Sequence, residues 1–189
     1  VAFADDASDG LEIQAPYEQA VVVAPADGGA AQYRSMALGL QHYNSDFTVT
    51  DGRLTVDASG LAGVAEIAWP DTCTPDEAGT VAVCDTGDVP VRYSPQVQLK
   101  VRAVAGAAVG AQGAIEYSAT ATGGPDGTLT VPEYSAETFV TVGSGPDLGV
   151  TAPQDLTGVT PGTGLTVPFS VTNTGNETAH GFTVQMWAT

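Results

Sequence analysis

Basic residues are the scarcest class in this 189-residue chain, with five Lys and Arg against 22 Asp and Glu and a formal charge of −17. Lysine occurs once, at Lys100. A surface this acidic repels phosphate backbones and anionic headgroups, so no nucleic-acid partner is expected. Charge of either sign is itself sparse, at 14% of residues, while Gly, Ala, Val and Thr abound. That balance suits an extracellular β-protein better than a disordered acidic tail. No apolar run approaches the roughly 20 residues of a membrane-spanning helix, so no membrane insertion is expected. Histidine occurs twice, at His42 and His180, and cysteine twice, at Cys73 and Cys84. Two cysteines without a second pair or paired histidines do not make a zinc ligand set. Helical periodicity is missing throughout; the apolar residues recur at the two-residue period of strands.

What is present is organised by an internal repeat. Leu148-Gly149-Val150-Thr151-Ala152-Pro153 echoes Leu11-Glu12-Ile13-Gln14-Ala15-Pro16. Pro161 answers Pro25, and Gly181-Phe182-Thr183-Val184 answers Asp46-Phe47-Thr48-Val49. The offset stays near roughly 136 residues, the length of one whole domain. The division that follows is an acidic leader over 1–10, a β-sandwich over 11–143, a linker over 144–146 and the first part of a second sandwich over 147–189. Ala2-Phe3-Ala4 before Asp5-Asp6 fits a signal-peptide remnant over 1–4, which would imply secretion.

Short strands separated by turn residues predict an all-β, immunoglobulin-like sandwich. The clearest is Pro95–Val104, where Val97, Leu99, Val101 and Ala103 alternate with Gln96, Gln98, Lys100 and Arg102. Thr50-Asp51-Gly52-Arg53 predicts a hairpin turn between Phe47–Val49 and Leu54–Val56. The expected core is Leu38, Leu40, Phe47, Leu54, Trp69, Val97, Leu99, Val101, Ile115 and Tyr117. Strands are also expected at Thr128–Val131 and Phe182–Trp187. The second copy would expose Val167, Phe169, Val171, Phe182, Val184 and Met186 along unpaired edges. It is therefore expected to be ordered only when complemented, by a protein partner or by self-assembly.

Few residues suggest chemistry. In a secreted domain Cys73 and Cys84, eleven apart around a turn-like stretch, would form a local disulfide. Asp71, Asp76, Glu77, Asp85 and Asp88 surround that pair and are weak calcium candidates, because calcium takes six to eight oxygen ligands. No ordered calcium-loop pattern accompanies them, and a solvated acidic rim is the simpler reading. Asp85-Thr86-Gly87 matches the triplet carrying an aspartic-protease carboxylate, but that chemistry needs a second such loop; a turn after Cys84 is expected instead. His42 and His180, placed in corresponding turns of the two copies, lack a nucleophile motif beside them. Asn176-Glu177-Thr178 is a glycosylation sequon that doubles as turn chemistry. Strand alternation points Lys100 outward, away from any buried isopeptide partner. No catalytic residue and no required cofactor is assigned.

The runs Leu148-Gly-Val-Thr, Thr160-Pro161-Gly162 and Val167-Pro-Phe-Ser-Val-Thr-Asn-Thr-Gly-Asn resemble the opening of immunoglobulin-like repeats in bacterial surface proteins, the DUF11 and CARDB kinds. Trp69-Pro-Asp-Thr-Cys73 and Val83-Cys84 are similar to a paired-cysteine hairpin of actinobacterial versions. The resemblance implies a non-enzymatic stalk, scaffold or adhesion module, secreted or anchored to the cell wall. A calcium-assisted carbohydrate- or protein-binding module is the alternative.

Overall fold

The computed structural model describes residues 11–16, 19–26, 29–42, 49–92, 94–123, 134–152, 162, 164 and 166–185. They form an all-β sandwich, with one short 3-10 turn at Ser59–Leu61. The first strand, β1 (Leu11–Gln14), is followed through Pro16 by β2 (Gln19–Val23). Proline cannot donate to a ladder, so the chain leaves one sheet there and joins the other. β1 pairs antiparallel with β3 (Arg34–His42). Then come β4 (Val49–Asp57), β5 (Ala65–Ala68), β6 (Cys73–Pro75), β7 (Val81–Val89), β8 (Gln96–Ala103), β9 (Gln112–Gly123) and β10 (Tyr134–Gly143). β2 pairs parallel with β10.

Two sheets result, a four-stranded one in the order β1-β3-β8-β5 and a six-stranded one in the order β2-β10-β9-β4-β7-β6. Their inward faces close over one core. Leu38, Leu40, Leu54, Val97, Leu99, Val101, Ile115 and Tyr117 are all buried there, as the alternation predicts. Burying each such aliphatic side chain contributes about 1.5–3 kcal/mol. Trp69 is only half-buried at the rim, and its indole N–H donates to the Gly79 carbonyl at 3.0 Å. Phe47 lies outside the described residues, as do Thr128–Val131. Lys100 is exposed, on the outer face where alternation puts it.

Two turn expectations are corrected. Asp51-Gly52 does not reverse the chain; β4 runs straight through it with a register shift against both β7 and β9. Asp51 takes φ 52°, and a Cβ on Gly52 would sit 2.5 Å from Thr86 Oγ1 and 3.0 Å from the Gly87 carbonyl. The Asp-Gly chemistry that suits a tight turn serves here to fit a bulge under β7. Asp85-Thr86-Gly87 likewise stays inside β7, where Gly87 at φ 63° lies opposite Gly52.

The second copy contributes β11 (Leu148–Thr151) and β12 (Ser170–Asn173), a separate two-stranded antiparallel sheet. Its register runs Leu148↔Asn173 to Thr151↔Ser170, just as β1 and β3 run Leu11↔His42 to Gln14↔Gly39. Asn173, and not His180, therefore holds the ladder position of His42. His42 is buried at the end of β3, whereas His180 is exposed outside any strand. Residues 182–185 are not in a strand, and the remainder of Phe182–Trp187 lies outside the described residues.

Candidate functional site

The cysteine hairpin comes first, because the sequence places its candidate ligands there. Cys73 and Cys84 face each other across β6 and β7 and are joined by a disulfide. The acids around them are held by the local backbone. Asp76 Oδ1 accepts from the N–H groups of Thr80 at 2.9 Å and Val81 at 3.2 Å, closing the β6–β7 turn. Asp85 Oδ1 accepts from the Gly87 N–H at 2.8 Å and steadies the bulge. Asp71, Glu77 and Asp88 are exposed. Among the described residues no three His, Cys, Asp or Glu side chains converge in a way that could hold a metal ion.

A second acidic feature crosses the outer face of the six-stranded sheet. Asp57, Glu116 and Glu137 are direct cross-strand neighbours on β4, β9 and β10. With Thr55, Val81 and Ser118 they line an open groove of about 640 Å³. Hydrogen bonds from Ser59 hold the Asp57 carboxyl below its usual range. Like charges directly opposite one another destabilise a sheet, so this row adds to the self-repulsion of an acidic chain.

The most elaborate polar construction lies where the two copies meet, around Asp147. This aspartate is 4% exposed. Its Oδ2 accepts from the Gln32 N–H at 2.9 Å and its Oδ1 pairs with Arg34 at 3.1 Å. Arg34 is half-exposed, so solvent screens that pair, and the backbone bond to Gln32 anchors it more firmly. Asn173 Oδ1 accepts from the N–H groups of Asp147 at 2.9 Å and Gly175 at 3.1 Å. Asn176 Oδ1 accepts from the Gly145 N–H at 2.9 Å. The side chain of the sequon asparagine is thus part of this clasp.

The backbone completes it. Thr174 N–H donates to the Asp147 carbonyl at 2.8 Å, Ala26 N–H donates to the Thr174 carbonyl at 2.9 Å, and Pro25 bridges Gly175. Gly175 has no room for a side chain, since a Cβ would lie 2.2 Å from the Gly145 carbonyl oxygen and 2.5 Å from Asp147 N. Chain from before β3, from 145–147 and from 173–177 is thereby locked into one knot. The sequence shows Asn173-Thr174-Gly175-Asn176 as turn chemistry but carries no signal for Asp147. Its role rests on contacts to residues more than a hundred positions away.

No protein-family model and no curated protein matches the chain. Among solved structures, similarity extends to a protein described as "AvmM Catalyzes Macrocyclization in Alchivemycin A Biosynthesis", at 11% identity and TM-score 0.40 over 74% of this chain and 92% of that one. It also extends to a cohesin–dockerin complex from Clostridium thermocellum, at 9% identity and TM-score 0.44 over 75% of this chain and 99% of that one. At this level the likeness carries no statement about activity.

Proposed function

We propose that the chain is a non-enzymatic extracellular scaffold or stalk module, in which the Asp147 clasp fixes one immunoglobulin-like unit onto the next. The clasp is the observation that carries this reading. A connection meant only to tether would be Gly-rich and solvated. Here Gly145 and Asp147, between β10 and β11, are bonded to Asn173, Asn176 and Glu177 on one side, and Asp147 to Gln32 and Arg34 on the other. The cross-strand disulfide supports an oxidising compartment, and no described helix is long and apolar enough to cross a membrane. The repeat resemblance supports placement in a bacterial surface protein, secreted or wall-anchored, and the charge of −17 keeps such modules apart from one another. The calcium-assisted binding alternative draws less support, because Asp76 and Asp85 already serve as backbone acceptors.

Backbone 15N relaxation tests the reading. Residues 148–151 and 170–173 are expected to tumble with the same correlation time as β3 and β8. Independent, faster tumbling of the β11–β12 ladder in the wild-type protein would remove the stalk function.

A further inference from the structure

We infer that the outer edge of β12 is an acceptor site for an extended peptide strand with the chemistry of β8, bound antiparallel. This goes beyond the stalk reading and stands on a different observation, the structural duplication of the β1–β3 pair.

The shared register makes Phe169 and Val171 the counterparts of Leu38 and Leu40. In the first copy the far edge of β3 is filled by β8, with Leu38↔Val97 and Met36↔Leu99. Among the described residues nothing pairs with the far edge of β12. The consequence shows in exposure. Leu38 and Leu40 are 0% exposed, whereas Phe169 is 43% exposed and Val171 is partly exposed. A two-stranded ladder with an open apolar face is only marginally stable, and a third strand is the usual completion.

The backbone is set up to receive one. The Thr174 N–H bond to the Asp147 carbonyl makes 147 and 174 a hydrogen-bonded pair. Alternation along an antiparallel ladder then assigns 149/172 and 151/170 to the same class. The N–H and C=O groups of Phe169 and Val171 consequently point away from β11, toward the open edge. Pro168 has the opposite parity, so its missing N–H does not interrupt that edge.

The first copy also states what the incoming strand should look like. β8 sets Val97, Leu99 and Val101 inward and Gln98, Lys100 and Arg102 outward, and holds two of the chain's five basic residues. A partner segment alternating aliphatic residues with Gln, Lys or Arg would extend the apolar face and meet an acidic chain with opposite charge. Its third residue would lie opposite Phe169, as Val97 lies opposite Leu38.

The experiment uses the 189-residue protein, 15N-labelled, with a synthetic peptide of its own residues 95–104 as probe. The amides of 167 and 169–173 are expected to shift, and exchange at Phe169 and Val171 to slow at least tenfold. The same peptide N-methylated at the Val97 and Leu99 amides should have no effect, because those positions make the pairing bonds. A sequence-scrambled peptide should also fail. Four results would overturn the inference: no response at millimolar peptide, equal response to the N-methylated peptide, Phe169 and Val171 amides already protected without peptide, or shifts at 167–173 that follow protein concentration alone. The last would assign the edge to a second copy of this chain.

Discussion

Asp147 is the residue on which the polar junction turns. Removing its carboxylate takes the acceptor from the part-buried Gln32 N–H bond, leaves the Thr174 hydroxyl with only the Asp147 carbonyl, and frees the Arg34 guanidinium. Asp147→Ala should lower stability by about 2–3 kcal/mol in urea denaturation, because hydrogen bonds to a charged acceptor are lost together. Arg34→Ala should cost under about 1 kcal/mol, since that side chain is half-exposed. Equal losses would mean that the ion pair, and not the backbone bond, holds the junction. Tyr117 offers a residue-level pH test. Burial raises its phenol pKa above the ordinary 10.0. The stability this reflects is present below pH 10 and is lost as pH rises through the folded-state value. Thermal melts should therefore fall above pH 10 in the wild type, and fall less steeply in Tyr117→Phe.

Individual elements show where physical reasoning from sequence succeeds and where tertiary contact decides. β8 is legible because a strand with one face in the core repeats every two residues, and all four of its inward residues are buried. Leu99→Ala should cost about 2–5 kcal/mol, measured as a shift in denaturation midpoint; a loss under half a kcal/mol would put Leu99 on the wrong face. The Asp-Gly bulge in β4 is not legible, because the same dipeptide serves turns and bulges. Only the close approach of Thr86 and Gly87 selects between them. Among the candidate site residues, the cysteine pair is legible from its spacing, and the acids beside it are not, since their hydrogen bonds depend on turn geometry. The disulfide closes a short loop and should stabilise by about 3 kcal/mol on the chain-entropy account. Mass spectrometry of unreduced protein should find no free thiol, and two alkylatable cysteines would contradict the pairing.

Across the whole molecule, two copies of one strand pair are held at one junction, in a chain with few charges and most of them negative. Such a chain repels its own copies at a distance, so fixed geometry between the two strand pairs has to come from short-range bonds that salt cannot screen. The clasp supplies them, and Gly175 is its tightest point. Gly175→Ala should push the Gly145 and Asp147 backbone apart, cost about 1–3 kcal/mol, and open the 143–147 stretch to protease. The most direct test is amide hydrogen exchange at Ala26 and Gln32, which donate across the junction to the Thr174 carbonyl and the Asp147 carboxylate. Both amides should be protected in the wild-type protein and lose protection together in Gly175→Ala, while Leu38 and Leu99 stay protected. Wild-type exchange at Ala26 and Gln32 as fast as in an open loop would contradict the locked junction and the proposed stalk role built on it.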